Sequence, residues 1–146
     1  VFGVGNNRQF QLFDANIPSN NFRSLEENAD KIFAGGYSTI IVDEEGKGRG
    51  RGSLFGDTWS EITEIPPIHS VCITNSCLMI LDIEGNVWCK GENTYGQLGV
   101  KGRKIKTFTK IPDLPVIIQI SIGEDHSLFS DIDGNLWVTG NNLTGE

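Results

Sequence analysis

The stretch 82–99 recurs in imperfect copies along the chain, and that recurrence constrains the fold more than any other feature of the sequence. The turn Asp82-Ile83-Glu84-Gly85 aligns with Asp131-Ile132-Asp133-Gly134 at an offset of 49 and with Asp43-Glu44-Glu45-Gly46 at an offset of 39. With those offsets held, 70–81 falls on 119–130 and on 31–42 without a gap, and 86–93 falls on 135–142. The N-terminus carries the tail of another copy, in which Gly5, Asn7 and Gln11-Leu12 stand where 82–99 has Gly91, Asn93 and Gln97-Leu98. Anchoring on Gly5, Gly52, Gly91 and Gly140 gives spacings of 47, 39 and 49. A period of about 40 to 50 residues belongs to repeat architectures, in which each unit covers a face of the next.

Each copy reads as β-structure. Ile40-Ile41-Val42 and Leu78-Met79-Ile80-Leu81 are short apolar runs bounded by turn residues, which suits a strand covered on both faces. The Asp-x-Glu/Asp-Gly segment makes a tight reversal with glycine where positive φ is needed. The strand after it alternates, Val87 and Cys89 to one side and Trp88 to the other, and Leu136, Val138 and Trp137 repeat this. Outer strands are expected over 106–111 and 60–65, stopping at Pro112 and Pro66, with Ile17-Pro18 as the matching stop in the first copy. No window holds a useful helical stripe. Only 20–30 leans helical, and a turn or two of helix is expected there in a connecting loop. Three or four short strands per unit are the mark of propeller blades, so the expected fold is all-β, with about three repeats. The unit boundaries are drawn at 5–51, 52–90 and 91–139, with a further repeat starting at 140–146.

Composition narrows the function classes. The 18 glycines, without a matching excess of proline, indicate many tight turns. A formal charge of −7 has the wrong sign for a whole-surface attraction to nucleic acid or to an anionic membrane. Three cysteines, Cys72, Cys77 and Cys89, lack metal-ligand spacing and read as reduced, partly buried thiols of an intracellular protein, cytoplasmic or nuclear. No apolar run has spanning length and no signal peptide opens the chain. The first residue is Val1 and the sequence begins in mid-pattern, so a piece of something longer is expected.

The segment Gly91-Glu92-Asn93-Thr94-Tyr95-Gly96-Gln97-Leu98-Gly99, after its Val-Trp strand, resembles the repeat of the regulator of chromosome condensation family. The run from Ile122 and Gly123 through His126 to Leu128 looks like the other half of that repeat. The first copy keeps Gly35-Gly36-Tyr37-Ser38, with Ser38 where the family favours histidine. The resemblance covers essentially the whole chain, with 82–99 its specific part and the second copy degenerate. It implies blades of a closed propeller of about seven, of which this chain holds under half. Open strand edges would then need covering by further blades or by another chain. The founding member of the family implies guanine-nucleotide exchange on a small GTPase of the Ran type, while many members serve as scaffolds.

The second copy departs most. Lys47, Arg49 and Arg51, separated by glycines, replace the Val-Trp strand, and Ser53-Leu54-Phe55-Gly56 replaces the loop. Alternating glycine and arginine makes a poor buried strand. Two readings stay open, a basic flexible insertion that contacts phosphate, RNA or an acidic protein surface, and a decayed blade with an exposed or frayed strand. The second is favoured, because the segment follows Glu44-Glu45. A second basic cluster, Lys101, Arg103, Lys104 and Lys106, reads as a solvated connector or a partner-binding patch. Together the two clusters are candidates for one positive, partner-binding face.

Catalytic chemistry is not indicated. His69 is expected in a loop, and His126 reads as a structural hydrogen-bonding group. Asp43, Asp82 and Asp131 recur at one register, as turn-stabilising carboxylates do, whereas a catalytic group is needed once. Asn7, Asn93 and Asn142 read as loop braces and Trp88, Trp137 and Leu98 as packing residues. Gly5, Gly35, Gly85, Gly91, Gly96, Gly99, Gly123, Gly134 and Gly140 read as backbone requirements. No metal site, cofactor or phosphate-binding glycine loop is expected. The leading expectation is a non-enzymatic platform for a protein partner. Exchange on a Ran-type GTPase is the alternative, and chromatin association the weaker one.

Overall fold

The computed structural model describes residues 2–12, 19–24 and 28–141. Among these, every regular element is a strand. β1 (Phe2–Gly5) pairs antiparallel with β2 (Ser19–Ser24). A four-stranded meander follows, of β3 (Lys31–Gly35), β4 (Ser38–Val42), β5 (Gly48–Gly52) and β6 (Gly56–Ile62). A second meander contains β7 (Ile68–Ile73), β8 (Cys77–Asp82), β9 (Val87–Glu92) and β10 (Lys104–Lys110). The third sheet has β11 (Ile117–Ile122), β12 (His126–Asp131) and β13 (Leu136–Gly140). All pairings are between chain neighbours, as short turns require. These sheets are successive blades of a partial β-propeller.

Strand alternation builds the core between blades. Cys77, Met79 and Leu81 of β8 point, with Val87 and Cys89, towards Ile117, Ile120 and Phe129 of the third blade. Leu78 and Ile80 point the other way, into a cluster with Ile40, Val42 and Ile62 of the first blade. β8 is therefore buried along its whole length, which is why its sequence is continuously apolar. Fully burying such a side chain contributes about 1.5–3 kcal/mol. β7 packs against β3, and β11 packs against both β7 and β8, so successive blades meet through their first two strands.

The third strand of each blade ends against the hairpin before it. Gly52, Gly91 and Gly140 have φ of 104°, 119° and 116°, and a Cβ there would strike the carbonyl oxygens of Tyr37, Ser76 and Asp125 respectively. Only glycine fits both constraints.

Several expectations are corrected. The segment 19–24 is strand β2, not helix, because its backbone pairs with β1; 25–27 and Ile17-Pro18 lie outside the described residues. His69 lies in β7, not in a loop. The outer strand of the first blade is Gly56–Ile62, ending well before Pro66. The Gly-Arg segment is neither a flexible insertion nor a frayed strand, since β5 is paired on both sides, with β4 and with β6.

Its burial has a steric cause. Gly48 and Gly50 occupy the positions of Val87 and Cys89, facing the next blade. The volume their side chains would fill is taken by neighbours: Ile68 and Ile62 press on Gly48, and the Phe55 ring lies on Gly50, 2.5 Å from where a Cβ would sit. The arginines face the opposite way. Arg51 donates from Nη2 to the Asp57 carbonyl at 2.6 Å and lies 5.3 Å from the Trp59 ring centroid. Lys90 repeats this in the next blade, with Nζ 5.3 Å from the Phe108 centroid and 4.9 Å from that of Phe55.

Candidate functional site

The acidic residues at the repeated turns are consumed by the turns. Asp82 Oδ1 accepts from the backbone N–H groups of Glu84 and Asn86, both at 2.9 Å, and its Oδ2 accepts from the Trp88 indole at 2.9 Å. Burial pushes the Asp82 carboxyl up, but the donors from Trp88, Asn86 and the backbone outweigh it and hold the group below its ordinary value. Asp131 repeats the arrangement with Asp133, Asn135 and Trp137, and the Trp137 indole leads the donors that hold it low. Asp43 keeps the two backbone bonds, to Glu45 and Lys47, but Arg49 stands where the tryptophan would be. These indole-to-carboxylate bonds escaped the sequence reading. The constant spacing of six residues from Asp to Trp was the available signal.

The loop side chains are braces. Asn93 donates from Nδ2 to the carbonyls of Val100 at 2.8 Å and Gly102 at 2.7 Å, and its Oδ1 accepts from Leu98 N–H at 2.8 Å. Asn7 accepts from Leu12 N–H in the same way, at 2.7 Å. Leu98 is fully buried beneath the Asn93 loop. His126 opens β12, with Nδ1 3.4 Å from Asp125 Oδ1. Gly35 closes β3; Gly85 and Gly134 complete the Asp turns, donating N–H to the carbonyls of Asp82 and Asp131. Gly96 and Gly99 bound the tight turns of the Asn93 loop, and Gly123 donates to the His126 carbonyl. Asn142 lies outside the described residues.

The thiols are packing groups. Burial raises Cys72, Cys77 and Cys89, the last to about 12. A thiol in that state is a poor nucleophile and a poor metal ligand. Among the described residues no group of three metal-ligating side chains converges. The Lys90 amine, lowered by burial, sits in the recurrent cation-over-aromatic position and is part of the blade framework.

The connecting loops gather at the two ends of the strands. A meander puts its connections alternately at opposite ends. One end collects loops 43–47, 63–67, 83–86, 111–116 and 132–135, tied blade to blade by Ile68 N–H to the Gly46 carbonyl at 2.8 Å and Ile117 N–H to the Gly85 carbonyl at 2.9 Å. It holds Asp43, Glu44, Glu45 and Glu64 from the first blade and its exit, then Glu84, Asp113 and Asp133, all exposed. Within these loops the basic residue is Lys47, bonded to Glu45 at 2.6 Å, while Lys31 and the exposed Lys110 stand at the adjoining strand ends. The other end collects loops 36–37, 53–55, 74–76, 93–103 and 123–125, where Lys101 and Arg103 are balanced by Glu124 and Asp125.

The two basic clusters therefore do not form one face. Lys47 is at the acidic end, Lys101 and Arg103 at the opposite end, and Arg51, 3% exposed, is inside the blade. Lys104 pairs with Glu92 at 2.7 Å, and Lys106 is exposed along the outer strand β10. A further feature is the outer side of the third blade. Leu136 and Val138, 75% and 68% exposed, stand where the second blade has Val87 and Cys89 at 1% and 0%. A hollow of about 360 Å³ there is lined by His126, Leu128, Val138 and Asn141.

With this geometry in place, the comparisons with known proteins are specific about the fold. The regulator of chromosome condensation (RCC1) repeat matches residues 84–130, and a second profile of the same repeat matches 117–146. A search of curated protein sequences finds no match. Among solved structures, Prp20p from Saccharomyces cerevisiae, described with its binding to Gsp1p and histones, superposes with a TM-score of 0.86 at 16% identity. It covers 99% of this chain and 42% of its own. Yeast RCC1 (Prp20) bound to Kap60 gives 0.85 at 16% identity, covering 99% and 40%. Human WBSCR16 gives 0.81 at 13%, covering 95% and 42%. The chain thus spans about two fifths of the length of the structures it matches.

Proposed function

We propose that this chain, whose residues 84–146 are repeats of the regulator of chromosome condensation family, is part of a propeller that works as a non-enzymatic platform for a protein partner. The observation that carries this reading is a division of labour. The perturbed carboxylates and thiols are tied into turns and blade cores, whereas the loops at the strand ends carry exposed charge together with the exposed side chains of Tyr37, Ile83, Tyr95, Val116 and Ile132. Loops on a rigid scaffold are where binding residues concentrate. The protein is proposed to be intracellular, cytoplasmic or nuclear, with further blades covering Leu136 and Val138 in a ring of about seven.

Guanine-nucleotide exchange on a Ran-type GTPase is the second reading. It is favoured by the likeness to Prp20p, described with its binding to Gsp1p. Exchange acts by stabilising the nucleotide-free state and needs no catalytic triad. Chromatin association is the weaker third. A nucleotide-release assay on the full-length protein with a panel of small GTPases separates the platform from the exchange reading. The platform reading expects no acceleration at substoichiometric concentration, and catalytic acceleration overturns it.

A further inference from the structure

Resting on the platform reading, we propose that the acidic end of the blades docks a basic polypeptide segment that also carries aliphatic side chains.

The apolar half of the argument starts from Ile83 and Ile132, 63% and 67% exposed. They hold the same position in two successive Asp turns. In the first blade that position is Glu44, so the turn itself does not require an aliphatic residue. Both are held in place by backbone bonds, Ile83 N–H to the Pro67 carbonyl at 2.9 Å and Ile132 N–H to the Val116 carbonyl at 3.1 Å. Val116, 51% exposed, bridges the two turns, since its side chain also packs on the Gly85 backbone. Three aliphatic side chains are thereby exposed to solvent on neighbouring, backbone-tied turns, a preorganised contact surface.

The charged half identifies the occupant. The exposed carboxylates Glu84, Asp113 and Asp133 flank these side chains, and Glu44, Glu45 and Glu64 continue the acidic surface over the first blade. Lys47 in these loops is already bonded to Glu45, Lys31 at the start of β3 is bonded to the Ile68 and His69 carbonyls, and Lys110 at the end of β10 leaves the carboxylates in excess. Such a field repels nucleic acid and anionic lipid and attracts lysine- and arginine-rich chains. A partner with alternating basic and aliphatic groups satisfies both halves at once.

The test uses full-length protein and two fluorescent peptides, one of lysines interspersed with leucines and one in which serines replace the leucines. Fluorescence anisotropy reads affinity at several salt concentrations, with thermal melts as a folding check. The expected result is that the leucine peptide binds more tightly. Ile83→Ser with Ile132→Ser should weaken it about tenfold and erase its advantage over the serine peptide, leaving the salt slope unchanged. Glu84→Lys with Asp133→Lys should weaken both peptides and flatten the salt dependence. Lys101→Glu with Arg103→Glu, at the opposite end, should change affinity by less than about twofold. Equal binding of the two peptides, indifference to both acidic-end pairs, or loss on changing Lys101 and Arg103 overturns the proposal. That last outcome moves docking to the opposite end and leaves the platform reading intact, whereas accelerated nucleotide release overturns the platform reading itself.

Discussion

Asp82 gathers two backbone N–H groups, the Asn86 amide and the Trp88 indole on one buried carboxylate, and so joins the turn to the strand that follows it. Its lowered pKa makes it a stabilising group in the ionised form. The folded pKa lies below the unfolded one, so that stability is fully present above the ordinary carboxylate range, near 4, and is lost as pH falls through the folded value. Asp82→Ala should destabilise by on the order of 2 kcal/mol, because it leaves buried donors unsatisfied. Asp82→Asn should melt lower at neutral pH and lose part of the acid-side fall in stability, which thermal melts from pH 7 to pH 3 would read. Asn93→Ala removes the amide that holds Val100, Gly102 and Leu98 together. A loss of about 1–3 kcal/mol in denaturant unfolding is expected, with the 93–103 loop exchanging its amides faster. The sequence made Asp82 and Asn93 legible as turn and loop residues through their recurrence. The alternation of the strand did not disclose the Trp88 indole bond, because it is the same whether the N–H is bonded or idle, and only the repeated Asp-to-Trp spacing carried the signal.

At the scale of the strand, β5 is the most instructive element. Local propensity argues against Gly-Arg-Gly-Arg-Gly as a buried strand, and pattern reasoning alone follows propensity. Tertiary packing overrides it, because Phe55 and Ile68 bring across the volume that Val87 and Cys89 supply from within β9. That compensation comes from neighbouring segments, so no window of the strand itself displays it. Gly50→Val should therefore cost more than its weak strand propensity suggests. It displaces the Phe55 ring, and overpacking of this kind costs about 1–3 kcal/mol in chemical denaturation. Phe55→Ala should cost about 3 kcal/mol for the opposite reason, a cavity left beside Gly50. The double variant Gly50→Val with Phe55→Ala should recover part of both losses, which a double-mutant cycle would measure. By contrast, β8 was legible outright, since a strand buried on both faces has no polar side to hide.

For the whole molecule, the repeat period and the turn glycines carry the architecture, and the meander then decides which loops share an end. The sequence offered Lys47 and Lys101 as candidates for one positive face, because basic clusters are visible along the chain while strand direction is not. Counting connections from one cluster to the other puts them at opposite ends. The net charge of −7 is likewise unevenly spread, with the carboxylates concentrated at one end and the other nearly balanced. A binding partner should therefore show an ionic-strength dependence that follows the acidic end alone.

Stability resides in the repeated framework and the loops are the proposed binding surface, and the most direct test measures both on the same variants of the full-length protein. The measurement is partner affinity well below the melting temperature, beside the melting temperature itself, for Ile83→Ser with Ile132→Ser and for Asn93→Ala. The loop pair should weaken binding about tenfold with melting within a degree or two of the parent, and the framework variant should lower melting while leaving affinity within about twofold. If Asn93→Ala abolished binding at unchanged stability, or the isoleucine pair unfolded the protein, the division between framework and loops would be contradicted.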